Sequence, residues 1–239
     1  MKIKDIFKRE SIVCSPLEIE KEEYKFYVNY LQPGMTVLDV GANIGLVTLV
    51  FSKFVGKNGK VYAFEATPST YEKLNAILEA GSVRNVKTFN KVISEQKGKA
   101  FFHIYPQEYA SWNTLADRPL EDYGISVKPE LIEEIETISL DDFCKYHQVE
   151  HIDLLKIDVE GAELSVLKGI ENMLSHKKVG ACLFEFGQTI YDMGIKPKEL
   201  EDYLHSVGYK LRNLIKGHPT FPHDKKGLAQ FAMLLAQPR

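Results

Sequence analysis

At 239 residues the chain is long enough for one substantial core, and a single α/β domain of this length is ordinary. With 44% apolar and 26% charged residues its composition is that of a folded globular protein and excludes a disordered chain. The net charge of -3 leaves no basic footprint, so a nucleic-acid partner is not expected.

In chain order, Met1-Lys2-Ile3-Lys4 is not followed by an apolar run, so no secretory signal is read there. Residues 17–31 mix charges with Leu17, Ile19, Tyr24, Phe26, Tyr27, Tyr30 and Leu31, the pattern of an amphipathic leading helix. Pro33-Gly34 stops it. Its aromatic side would bury against a partner or cap a cleft. Residues 1–34 therefore read as an N-terminal helical extension and 35–239 as the main domain. There Thr36–Val40 is a short apolar strand and 44–54 a helix. Lys60–Glu65 is a second strand, and 69–80 a helix with Ser69 as its cap and Gly81 as its stop. Val86–Ile93 is a third strand, and Ala100–Ile104 alternates like a strand. Residues 105–135 contain Pro106, Trp112, Pro119, Gly124 and Pro129 and show no clean period; a loop of that length is usually functional. Ile152–Ile157 and Val179–Phe186 are buried strands with a helix over 162–174 between them. A helix over 198–206 and strands at 210–215 and 228–235 close the chain. Steady alternation argues for an α/β fold with a mainly parallel sheet covered on both faces. The last two strands, with no helix between them, argue for an antiparallel closing hairpin.

The longest apolar run, 228–236 interrupted by Gln230, is too short to cross a bilayer, so no membrane partner is expected. Three scattered cysteines, Cys14, Cys144 and Cys182, form no C-x-x-C pair and read as reduced thiols of a cytoplasmic protein.

Two segments carry chemistry. The first strand ends in Asp39 and is followed by Gly41-Ala42-Asn43-Ile44-Gly45 and a helix. A small-residue turn lets the backbone approach a ligand, and the helix start offers free N–H groups. Asp39 is placed to reach the cationic amino group of a bound amino acid. Glu65, twenty residues beyond Gly45, suits the hydroxyls of a ribose. A dinucleotide fingerprint wants G-x-G-x-x-G; here Asn43 stands in place of the middle glycine. That favours a nucleoside cofactor without a pyrophosphate, S-adenosylmethionine (SAM), over NAD. The bland alternative is a tight turn with no ligand.

The second segment is Ile152-Asp153-Leu154-Leu155-Lys156-Ile157-Asp158-Val159-Glu160-Gly161-Ala162-Glu163. It places three carboxylates, Asp158, Glu160 and Glu163, where parallel sheets bind ligands. Glu163 reads equally as a helix cap.

These pieces, together with Val61-Tyr62-Ala63-Phe64-Glu65, Asn85-Val86 and Phe184-Glu185-Phe186, resemble the FkbM family of SAM-dependent methyltransferases over roughly residues 35–215. The most specific stretch is residues 152–169, IDLLKIDVEGAELSVLKG. The resemblance implies a Rossmann-like class I methyltransferase sheet of seven strands, order 3-2-1-4-5-7-6, with helices on both faces. It implies O-methylation of a small molecule, a polyketide or peptide natural product or a sugar. Carried over by motif, Asp39, Gly41, Asn43 and Gly45 would hold the methionine end of SAM and Glu65 the ribose. Ala66, Val92 and Ser94 would border the adenine, although Ala66-Thr67-Pro68 departs from the family's habit of a proline straight after the acidic residue. Asp158 would lie near the reactive methyl.

A hydroxyl acceptor must lose its proton, so a base within hydrogen-bond reach is expected. Asp158 is the first choice, and Glu185 the second catalytic carboxylate. A rival arrangement makes Asp158 and Glu185 ligands of Mg2+, which would lower the acceptor's pKa; no metal is expected, because carboxylates beside a cationic sulfur need none. Trp112, Asn113 and Glu160 are the acceptor-side candidates, with Trp112 either a lid over the acceptor or an anchor for its loop. His103 reads as solvent-facing or packed, and His218 and His223 as turn residues near the hairpin. The acceptor is a small molecule or glycan. The competing readings are N- or carboxyl methylation, a NAD-dependent oxidoreductase, and a SAM-fold protein that binds a partner without catalysis. Methylation of RNA or protein is disfavoured by the missing basic patch and Asn-Pro-Pro-Tyr motif.

Overall fold

The structure is a computed structural model and describes residues 21–223, 229 and 231–239. Cys14, the first four residues, the first residues of the leading helix, Leu228 and Gln230 lie outside the described residues. The chain divides into two compact units, Met1–Asn90 and Lys91–Arg239.

The first unit runs α1 (Lys21–Tyr30), β1 (Thr36–Val40), α2 (Leu46–Val55), β2 (Lys60–Phe64), α3 (Pro68–Ala80) and β3 (Val86–Phe89). β1 and β3 both pair parallel with β2, Asp39 standing opposite Ala63. Val37, Leu38, Val40, Val61, Ala63 and Phe64 are all buried, as strands covered on both faces must be. The aromatic side of α1 is used within its own unit. Tyr27 is fully buried, its ring edge-on to Phe51 of α2 at 4.8 Å. The α3 cap differs from the expectation: Pro68 takes the first helical position, where its fixed φ is favourable, so Thr67 precedes the helix and Ser69 lies inside it.

The second unit runs β4 (Val92–Ile93), β5 (Gly98–Ile104), β6 (Leu131–Ile138), α4 (Leu140–His147), β7 (Ile152–Ile157), α5 (Glu163–Lys168), α6 (Glu171–Ser175), β8 (Val179–Phe186), α7 (Gln188–Asp192), α8 (Pro197–Ser206), β9 (Tyr209–Asn213) and β10 (Ala232–Pro238). β7 and β8 are parallel, while β10 runs antiparallel to both β8 and β9. The seven-stranded sheet has the order β3-β2-β1-β7-β8-β10-β9, the order and closing hairpin expected above. β10 begins and ends a few residues later than expected, running past the apolar run to Pro238.

Three expectations are corrected. Residues 86–93 are not one strand. β3 stays with β2, whereas β4 joins a small sheet of order β4-β6-β5. Asn90 makes the break: its amide donates to the carbonyls of Glu65 at 2.9 Å and Ala66 at 2.8 Å, which ends the ladder. The unpatterned region ends earlier than 135, because β6 pairs with β5 along Gly98–Ile104. Glu133, Glu134 and Glu136 disguise it; most of β6 is exposed, so no apolar alternation marks it. The helix expected over 162–174 is two short ones. It stops at Gly169, where a Cβ would stand 2.2 Å from the Ser94 carbonyl oxygen. Among the described residues no helix is long and apolar enough to cross a membrane.

Candidate active site

In the first unit, the turn after β1 is built from left-handed residues. Gly41, Asn43 and Gly45 have φ of 83°, 48° and 90°. Asn43 is thus a true substitute for glycine in this turn, since asparagine tolerates that region better than other side chains. The N–H groups of Gly41 and Ala42 both donate to the Phe64 carbonyl, at 3.0 and 2.9 Å, which ties the turn to β2. Asp39 is fully buried and accepts a 2.6 Å hydrogen bond from the Thr48 hydroxyl. Glu65 accepts from the N–H of Asn43 on one carboxylate oxygen and from the N–H of Thr67 on the other, each at 2.9 Å. Burial raises the Glu65 pKa, and those two N–H bonds work against the rise. The Thr67 side chain also hydrogen-bonds this carboxylate. The set fits an amino acid's ammonium at Asp39 and a ribose diol at Glu65. Ala66, half-buried, contributes its carbonyl to Asn90.

The other adenine candidates lie in the second unit. Val92 is buried in β4, and Ser94 donates its N–H to the Ile138 carbonyl at 3.0 Å.

The second unit gathers its carboxylates beyond β7 and β8. Oxygens of Asp158, Glu160 and Glu185 lie within 4.8 Å of one another. Sequence reasoning named all three but did not place Glu160 with the catalytic pair. Lys156 Nζ donates to Asp158 Oδ2 at 2.8 Å, from a side chain only 4% exposed. Glu160 and Gly161 have φ of 53° and 106°, and a Cβ on Gly161 would stand 2.4 Å from the Thr189 carbonyl oxygen. A glutamate in left-handed conformation costs on the order of 1–3 kcal/mol and persists only where its surroundings hold it. Glu163 does not cap its helix; its Oε1 ties the turn before it, accepting from the N–H of Gly161 at 3.1 Å. Its other oxygen is buried without a partner.

Crowding sets the electrostatics. Burial, then the carboxylates of Asp158 and Glu163, push the Glu160 pKa up to about 8, while Arg118 and Lys156 pull it down. Burial, helped by Asp158, pushes Glu163 up to about 7 against the N–H bonds it accepts. Glu185 is raised furthest of the three, by burial and then by the Asp158, Glu160 and Glu163 carboxylates. Near neutral pH the cluster therefore holds protons that isolated carboxyls would release. A carboxyl group that both takes and returns a proton is the chemistry this favours. The same three carboxylates have the spacing to hold a hard cation, although Lys156 already sets a positive charge beside Asp158.

The arm between β5 and β6 carries the remaining candidates. Trp112 packs at 4.9 Å on Tyr109 and edge-on at 6.5 Å to Tyr105, with the Arg118 guanidinium 5.7 Å over its ring. Asn113 Oδ1 accepts from the Tyr105 N–H at 2.8 Å. His103 is buried in β5, exchanging backbone hydrogen bonds with Thr114. Beyond β8, Phe186 packs with Tyr191, Phe221 and His223. His223 Nδ1 faces the Phe221 carbonyl, so Nε2 accepts from the Tyr191 hydroxyl at 2.7 Å. Sequence reasoning missed Lys156, Thr114, Arg118 and Asp192. A lysine inside the apolar run of β7 was the one available signal.

The family described as the methyltransferase FkbM domain matches residues 39–211. The chain is 31% identical over 166 residues to the 31-O-demethyl-FK506 methyltransferase FkbM of Streptomyces tacrolimicus, covering 59% of this chain and 62% of that protein. It is 28% identical over 172 residues to the hexuronic acid methyltransferase AglP of Haloferax volcanii, covering 70% of this chain and 59% of that one. The matches span about three fifths of the length of these curated relatives. Among solved structures, SMU.1697c of Streptococcus mutans, a putative methyltransferase in complex with SAH, superposes with a TM-score of 0.50 at 10% identity, covering 95% of this chain and 99% of that one. The sheet order and its antiparallel closure are those of class I SAM methyltransferases. With the match running from Asp39, through the acidic turn, to Leu211, the chain belongs to the FkbM methyltransferase family.

Proposed function

We propose that the chain is a SAM-dependent O-methyltransferase acting on a hydroxyl of a small molecule, a natural product or a sugar. The observation that carries this reading is the carboxylate cluster Asp158, Glu160 and Glu185 at the ends of two parallel strands, in which Glu160 and Glu185 are raised in proton affinity. The two relatives, one a 31-O-demethyl-FK506 methyltransferase and one a hexuronic acid methyltransferase, support this acceptor class. The Streptococcus mutans structure's bound SAH supports the cofactor.

SAM, when bound, supplies a methyl on a cationic sulfur that is already a strong electrophile. The chain's part is placement and proton removal. Asp39 takes the ammonium, Glu65 the ribose, and the Gly41–Gly45 turn brings backbone close to the ligand. Ala66 borders the adenine. With SAM and acceptor bound, a cluster carboxylate would take the proton that the acceptor hydroxyl loses as it is methylated. The cluster then returns it to water. A base whose proton affinity lies near the working pH is the efficient one, which favours the half-buried pair Glu160 and Glu185 over a lone surface carboxyl. Lys156 keeps Asp158 oriented and supplies a fixed positive charge, so the proton step needs no Mg2+. Trp112, Asn113 and Glu160 line the acceptor side.

The test is a calorimetric titration of the protein with SAM, S-adenosylhomocysteine and NAD, followed by mass spectrometry of a panel of sugars, macrolides and carboxylic acids incubated with protein and SAM. The expected result is binding of the first two ligands only, and one added methyl, stable to mild alkali as an ether, on a hydroxyl compound. Binding of NAD, or an alkali-labile methyl ester, would overturn it.

A further inference from the structure

The arm between β5 and β6 is fastened to the acidic turn by contacts that the proton chemistry does not use. Arg118 lies in this arm with its side chain only 11% exposed. Its Nε donates to Asp192 Oδ2, at the end of α7, at 3.1 Å. Asp192 has a side chain 1% exposed. The same guanidinium stands 4.0 Å from Glu160 Oε2 and 5.7 Å over the Trp112 ring. Four residues earlier, the Thr114 hydroxyl donates to the Glu160 carbonyl at 2.7 Å. α7 presses on the turn from another side, through the Thr189 carbonyl against Gly161.

A buried cation is costly unless its donors are engaged. Here one planar group serves two carboxylates and an aromatic face, which a lysine's point charge cannot do. Its position between Trp112 and Glu160 gives the arrangement a purpose beyond packing. Those are two of the three residues read as touching the acceptor.

We propose that Arg118 is a positioning residue, fixing the Trp112 arm and the Glu160 turn relative to one another so that both meet the acceptor as one surface. This rests on the O-methyltransferase reading only for what the surface is used for; the coupling itself is a property of the chain.

Trp112 is the only tryptophan, so it reports on its own arm. The experiment compares wild type, Arg118→Met, Arg118→Lys, Glu160→Gln and the Arg118→Met/Glu160→Gln double variant by acrylamide quenching of Trp112 and by hydrogen exchange of segments 105–123 and 158–163. Arg118→Met is expected to raise the quenching constant about twofold and to speed exchange about tenfold in both segments together. Arg118→Lys restores part of the exchange protection and none of the Trp112 shielding. The double variant exchanges no more than roughly threefold faster than Arg118→Met, because the two side chains act through one contact. Effects that multiply in the double variant, or unchanged quenching in Arg118→Met, overturn the proposal. If Arg118→Met loses its far-UV circular dichroism, Asp192→Asn loosens the same pin and is judged by the same criteria. SAM titration of the wild type separates the two readings: failure to bind SAM overturns the methyltransferase assignment, while the quenching and exchange data decide the coupling.

Discussion

The turns after β1 and β7 are built alike and charged differently. Each follows a buried parallel strand, each has an aspartate at or just past that strand's carboxyl end, and each uses left-handed residues to enter a helix. After β1 the acids are engaged. Asp39 holds the Thr48 hydroxyl, and Glu65 holds two backbone N–H groups. After β7, Glu160 crowds against Asp158 and Glu185 in a left-handed backbone. In the proposed reading the first turn is a binding surface held together by the chain's own hydrogen bonds. The second stores electrostatic and backbone cost, the usual mark of a place where a proton must move.

Removing the stored charge breaks the second half of this contrast most severely. Glu185→Gln is expected to lower kcat by about a hundredfold or more, the scale of a lost general base, with SAM affinity changed little. Steady-state kinetics beside calorimetry distinguishes this from a misfolded variant. Breaking the first half should do the reverse. Glu65→Ala orphans the N–H groups of Asn43 and Thr67 and is expected to cost about 2–3 kcal/mol of SAM binding, read as a Kd raised roughly thirty- to hundredfold. A weakening confined to the acceptor would contradict the role given to Glu65.

Gly161→Ala probes the strain directly. The new methyl meets the Thr189 backbone, which cannot step aside cheaply, so a stability loss of about 2–4 kcal/mol by denaturant unfolding is expected. The smallest effect is on pH dependence. Folded Glu160 and Glu185 titrate above the ordinary carboxyl value, so between about pH 5 and pH 8 the folded chain keeps protons that the unfolded chain releases. Stability therefore falls as pH rises through that window. In Glu185→Gln the slope of Tm against pH should flatten, and at pH 8.5 the variant should melt above wild type. A wild-type Tm that climbs from pH 5 to pH 8 would show that the cluster is not held protonated.

Much of this was legible in the sequence because the relevant signals are local. Apolar strands with Asp39, Glu65, Asp158 and Glu185 at their carboxyl ends announce where carboxylates emerge from a sheet, and the alternation with helices argued for a mainly parallel sheet, its strand order being implied by the family resemblance. What was hidden depends on partners far along the chain. The break between β3 and β4 comes from Asn90 reaching back to Glu65 and Ala66. Arg118 finds Asp192, seventy-four residues away, and Thr114 finds Glu160, forty-six away. No periodicity records such contacts. β6 escaped for the opposite reason: it is a strand by its ladder to β5, while its glutamates face outward and erase the pattern that identifies strands.

Gly169 has a consequence for how this sequence can drift. Its backbone is ordinary helical, with φ of -67°, so no conformational rule reserves the position for glycine. The Ser94 carbonyl reserves it, because that oxygen already occupies the space of a side chain. Among descendants that keep α5 seated against the end of β4, position 169 is closed even to alanine, while its exposed neighbour Glu171 is open to nearly anything. Heritable change around the helix pair is therefore channelled by a single oxygen atom contributed from a distant part of the chain.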